Sequence, residues 1–114
     1  MFFTYNQNNS GGGFDFDEAR GISQYVIVEA ADADEADDRA ERIGLYFGGA
    51  GDCACCGDRW YAASGWDATN VPSIYGEPVE SANIDTKWMG ENPDAFVHYA
   101  DGRVVAHHPP VKKF

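Results

Sequence analysis

A chain of 114 residues has the usual size of one domain and is long enough to bury roughly two thirds of its unfolded surface without disulfides. Seven Phe, six Tyr and three Trp within an apolar fraction of 44% exclude a chain disordered throughout. Eight Lys and Arg against nineteen Asp and Glu leave a net charge of −11, which disfavours direct nucleic-acid or anionic-membrane binding and favours a basic surface on another protein.

The apolar start Met1-Phe2-Phe3 gives way at once to Thr4, Tyr5, Asn6 and Gln7, so it holds no signal-peptide core. No stretch approaches the roughly 20 apolar residues of a membrane span. The expected setting is the reducing cytosol. Phe2 to Tyr5 predicts a first strand, ended by the polar run Asn6 to Ser10 and by Gly11-Gly12-Gly13. Phe14 to Glu18 alternates apolar and acidic residues between glycines and reads as loop or edge strand. Ser23 to Ala30 is β-branched and almost continuously apolar, the pattern of a central strand covered on both faces.

Asp32 with Glu35 three positions later forms a capping-box pattern, and Ala36, Ala40, Ile43 and Phe47 follow helical spacing. A helix over about 33–44 is expected. Within it Glu35 precedes Arg39, and Asp38 precedes Arg42, by four residues, which predicts surface ion pairs worth about 0.2–0.5 kcal/mol each. Arg59 to Ala63 and Ser73 to Tyr75 read as short strands on either side of the turn-rich Ser64 to Pro72. Glu80 to Gly90 reads as a short helix carrying Trp88 and Met89 inward, limited by Pro93. Ala95 to Tyr99 and Arg103 to His107 flank Ala100-Asp101-Gly102, the signature of a β-hairpin over about 95–107. Two prolines make 109–114 an extended tail. The expected architecture is therefore one α+β domain over 1–108, with a mixed or antiparallel sheet, one main helix and the C-terminal hairpin.

Three groups of residues carry candidate chemistry. Cys53 and Cys56 have C-x-x-C spacing followed by Gly57, half of a zinc knuckle. Cys55 or histidines would have to complete it. If the hairpin turns on the two residues Asp101-Gly102, then His98 opposes Val105 and Phe96 opposes His107, which puts His98 and His107 on one face about 7 Å apart. Cys53, Cys55, Cys56, His98 and His107 are thus the candidate zinc ligands. The competing account makes the cysteines small structural thiols and His98 an ordinary strand residue. Redox chemistry is disfavoured, because Asp52 and Asp58 raise thiol pKa values and Arg59 alone opposes them.

The second group is acidic. Residues 15–41 carry ten Asp and Glu against Arg20, Arg39 and Arg42. Asp34, Asp37, Asp38 and Glu41 are the candidate contacts for a basic partner, against the plainer reading of a solvated helix face. Third, Trp60, Tyr61 and Trp66 with Arg59 would wall a pocket for a small nucleotide-like ligand, unless the rings are core. No complete catalytic motif is present: Gly11 to Gly13 lacks the Gly-Lys-Ser/Thr of a P-loop, Asp15, Asp17 and Glu18 lack the calcium-loop ladder, and no cysteine has an oxyanion hole.

The opening MFFTYNQNNSGGGF, then GLYFGG, DCACCGDRWY, VPSIYG and AFVHYADGR, in that order, resemble a family of small uncharacterised proteins encoded by many tailed bacteriophages. The resemblance implies an accessory protein of the infected bacterium's cytoplasm. It supplies no catalytic or cofactor residue, and the segment after Arg103, with His107 and His108, falls outside it. The combined expectation is a non-enzymatic protein that binds a host protein during infection. A ligand-sequestering module and a small zinc-binding protein are the alternatives.

Overall fold

The computed structural model of the chain describes residues 1–7, 16–47, 60–63, 68–74, 77–79 and 95–107. Its elements in chain order are β1 (Phe2–Asn6), β2 (Tyr25–Glu29), α1 (Ala33–Ile43), β3 (Ala68–Thr69), β4 (Ser73–Ile74), β5 (Glu77–Pro78), β6 (Ala95–His98) and β7 (Val104–His107). One mixed sheet runs in the order β3-β1-β2-β6-β7, and β4 and β5 form a separate two-stranded ladder. β1 is antiparallel to both β2 and β3, β2 is parallel to β6, and β6 is antiparallel to β7. The fold is α+β, as its sequence predicts.

The continuous apolar run of β2 reflects its central place. Val26, Ile27 and Val28 are each at 0% exposure. Alternation sends Val26 and Val28 toward α1, where they pack with Phe3, Tyr5, Ala36, Ala40 and Trp60. Tyr25 and Ile27 face the other side, with Phe2, Ile74, Val79, Ala95 and Val97. Each fully buried aliphatic side chain of this kind contributes roughly 1.5–3 kcal/mol. A parallel β2–β6 pair requires a crossover between them, and α1 lies on that crossover. Ala36 and Ala40, both at 0% exposure, let the helix approach the sheet closely.

The capping box forms. Asp32 accepts from the Glu35 N–H at 2.9 Å, and Glu35 Oε1 accepts from the Ala31 N–H at 3.2 Å. At the other end Gly44, at φ 129, donates to the Ala40 and Glu41 carbonyls and stops the helix at Ile43. The two expected intrahelical ion pairs do not form. Arg39 donates instead to the Glu29 carbonyl at 3.1 Å and the Tyr99 carbonyl at 2.9 Å, tying α1 to the ends of β2 and β6.

Two other expectations change, and at residues 16–18 the loop alternative holds over the edge strand. Asp17 and Ile22 close an isolated bridge through two backbone hydrogen bonds of 2.9 Å, so the segment after Phe16 is a tight turn. Residues 60–63 form no strand, and the Ala63 N–H is taken by the Asp37 carboxylate at 2.8 Å rather than by a ladder. Within the stretch read as turns, Ala68–Thr69 pairs with Phe3 and Phe2 as β3.

The hairpin has the predicted strands but a different register. Tyr99 N–H donates to the Arg103 carbonyl at 2.9 Å, and Gly102 N–H to the Tyr99 carbonyl at 3.0 Å, so the loop holds three residues, 100–102. Gly102 takes φ 96, the left-handed residue that such loops need. His98 therefore opposes Val104, and His107 opposes Ala95. A slip of one residue reverses every side chain of β7, so His98 and His107 lie on opposite faces and do not form a shared imidazole pair. The cysteine cluster, the expected helix over Glu80 to Gly90 and the tail 109–114 lie outside the described residues.

Candidate functional site

α1 is built with three sides. Ala36 and Ala40 face the core, and Asp37 lies half-buried beside them, accepting from the Tyr5 hydroxyl and the Ala63 N–H, each at 2.8 Å. Asp37 is thus a structural acceptor rather than part of an open acidic face. Asp34, Asp38 and Glu41 are exposed at i, i+4 and i+7, which aligns them along the solvent side. Among the described residues none of the three makes a hydrogen bond or an ion pair.

The third side carries arginine. Arg39, Arg42 and Ile43 form one wall of a cleft of about 370 Å³ whose lining also includes His98 of β6. His98 is 5% exposed and its Nε2 lies 2.7 Å from the Gly21 carbonyl. A carbonyl can only accept, so Nε2 carries the proton. Burial pushes the His98 pKa down; the bond to Gly21 opposes that shift and the Arg39 charge adds to it, so the ring is neutral at pH 7. Gly21, at φ 72, fits because it has no side chain: a Cβ there would lie 2.7 Å from His98 Cε1 and 2.9 Å from Val104 Cγ1.

A second recess of about 320 Å³ is lined by Phe16, Arg20, Ile22, Tyr46 and Trp60 among others. Trp60 is 1% exposed and belongs to the core, while Tyr61, its neighbour in sequence, is 58% exposed. The two rings therefore differ in setting, one enclosed and one open to solvent. Arg59 and Trp66, the other members of the expected ligand site, lie outside the described residues.

One family pattern, described as a domain of unknown function (DUF7296), matches residues 1–111. The chain belongs to that family. The DUF7296 match runs from before β1 to beyond β7, so helix, hairpin and cysteine cluster all fall within it. No curated protein and no solved structure matches the chain.

Membership in DUF7296 assigns no residue a role, so the chemistry rests on placement. Among the described residues no three His, Cys, Asp or Glu side chains converge on a metal-sized site. Cys53, Cys55 and Cys56 lie outside those residues. His107 is half-buried on the face away from α1, its Nε2 enclosed without a hydrogen-bond partner among the described residues. Among the described residues no helix is long and apolar enough to cross a membrane. The sequence masks the Arg39–Arg42–His98 grouping, because each arginine follows an acid by four residues, the spacing of a surface ion pair. The available signal was their i, i+3 spacing, which puts two guanidiniums on one edge of the helix.

Proposed function

We propose that this DUF7296 protein is a non-enzymatic bacteriophage accessory protein that binds a basic surface of a host protein in the bacterial cytoplasm. The observation that carries the reading is the row Asp34, Asp38 and Glu41, exposed on one line of α1 and uncommitted among the described residues. The row has a cost to folding. Asp34 and Asp38 are like charges at i, i+4, and Glu41 stands in the last turn, where the helix dipole disfavours an anion by about 0.3–1 kcal/mol. Asp32, Glu35 and Asp37 have structural work to explain them, and Asp34 suits the dipole in the first turn, whereas Asp38 and Glu41 have no such role. A solvent-facing anionic row supported by no internal contact suits a cationic partner, and steering by a net charge of −11 would speed the encounter. The phage setting rests on the resemblance of the opening, cysteine and hairpin segments.

The test is co-purification from host extract at low and high ionic strength, with the Asp34→Asn, Asp38→Asn, Glu41→Gln triple variant in parallel. A discrete host protein retained at low salt, released at high salt and lost with the triple variant supports the reading. Retention by the variant equal to that of the native chain sinks it, provided the variant's thermal midpoint shows that it is folded.

A further inference from the structure

In a chain of net charge −11, the cleft beside α1 concentrates the opposite sign. Arg39 and Arg42 line it together with Ile43 and His98, and among the described residues no carboxylate does. Neither guanidinium is neutralised by an ion pair: the two ion pairs among described residues are Asp17–Arg20 and Asp101–Arg103. Arg39 uses two of its five N–H donors on the Glu29 and Tyr99 carbonyls, which fixes its plane and leaves three. Arg42 is exposed and makes no hydrogen bond among the described residues.

His98 adds the opposite polarity. Its Nε2–H is committed to Gly21, so in the neutral ring Nδ1 offers a lone pair. Among the described residues the enclosed unpaired side-chain atoms are Gln24 Oε1 and His107 Nε2, so Nδ1, which has no partner there either, is not fully enclosed, and His98 is one of the residues that line the cleft. The cleft therefore presents two positive donor groups and one acceptor.

We infer that this cleft binds inorganic phosphate, with Arg39 and Arg42 donating to its oxygens and His98 Nδ1 accepting from its P–OH. Hydrogen phosphate is a dianion that retains one O–H at neutral pH, which matches two guanidiniums and one lone pair. Sulfate has the same charge and shape but no O–H, so it leaves Nδ1 facing an anionic oxygen. Guanidiniums are suited to such tetrahedral anions because their planar forks donate in pairs. The binding uses none of the residues of the acidic row and stands independently of the proposal made for it.

The experiment is an NMR titration of the full chain with sodium phosphate, sodium sulfate and glycerol phosphate at equal ionic strength. It follows the His98 ring and the Arg42 side-chain N–H. Saturable shifts with phosphate, at least about tenfold tighter than with sulfate, are expected. Arg42→Gln should weaken phosphate binding about tenfold, the loss of one charge-assisted interaction, and leave the chain folded with only a small fall in the thermal midpoint, because Arg42 also complements the dipole in the last turn of α1. Arg103→Gln removes a guanidinium that pairs with Asp101 and does not line the cleft, so it should leave binding as it is. The glycerol phosphate dianion carries no P–OH and should bind less tightly, which separates the free ion from an esterified phosphoryl group. Equal affinity for sulfate, tighter binding of the ester, or an undiminished response in Arg42→Gln overturns the assignment.

Discussion

An imidazole enclosed by a sheet, a turn and a guanidinium has little room to become charged, and His98 is such a group. Burial lowers its pKa from the ordinary 6.5, the Gly21 carbonyl offsets part of that, and Arg39 lowers it further. The unfolded chain therefore takes up the proton first as pH falls. The stability this site contributes is complete above about pH 6.5 and is lost as pH drops from there toward the depressed folded value. Urea unfolding between about pH 7.5 and 5.5 avoids the range where carboxylates titrate, and the difference between the native chain and His98→Asn separates this residue from the other two histidines. The native chain should lose stability across that window, and His98→Asn should lose much less. A native profile as flat as the variant's would show that His98 protonates freely in the fold. Asp101 moves the opposite way for a surface reason: the Arg103 backbone N–H, then its side chain, bond to the carboxylate and hold its pKa down.

Two turns decide what packs around that histidine, and each depends on one glycine at positive φ. Gly102 at φ 96 makes the three-residue loop that sets the β6–β7 register, and Gly21 at φ 72 closes the Asp17–Ile22 turn against His98. Their surroundings differ. A Cβ on Gly102 meets nothing within 4 Å, whereas one on Gly21 would fall 2.7–2.9 Å from His98 and Val104. Gly102→Ala should thus cost only the left-handed strain, about 1–2 kcal/mol, and Gly21→Ala that strain plus displacement of a buried ring, at least about 1 kcal/mol more. Equal losses in urea denaturation would remove the close approach as a cause. The strands, the helix and its capping box were legible because period, cap and hairpin residues agree over Phe2–Tyr5, Ser23–Ala30, Asp32–Ile43 and 95–107. The register was not, since Asp-Gly serves a two-residue and a three-residue loop alike. β3 was also hidden: two residues recruited by the edge of β1 carry no pattern of their own.

Across the whole molecule, composition conveyed the sign of the charge but not its arrangement. An acidic helix face was legible at Asp34, Asp38 and Glu41, yet Asp37 turns inward because Tyr5 and Ala63 need an acceptor that local spacing does not reveal. The arginine-lined cleft was illegible for the related reason that carbonyls at two strand ends, far apart in sequence, hold Arg39 in place of Glu35. The balance of these charges fixes how salt acts on folding. The ion pairs Asp17–Arg20 and Asp101–Arg103 have side chains 42–66% exposed, and pairs so placed contribute about 0–1 kcal/mol. Against them stands the mutual repulsion of a chain at −11, felt over about 30 Å at 0.01 M salt and about 10 Å at 0.1 M. Repulsion outweighs these pairs, so sodium chloride should raise the urea midpoint over that range with no change in the denaturant slope. A midpoint that falls with added chloride would mean that attractive pairs dominate. Replacing chloride by phosphate at equal ionic strength then separates general screening from the cleft: screening predicts the same midpoint, whereas an ion held by Arg39, Arg42 and His98 adds stability that grows with phosphate concentration and shrinks in Arg42→Gln.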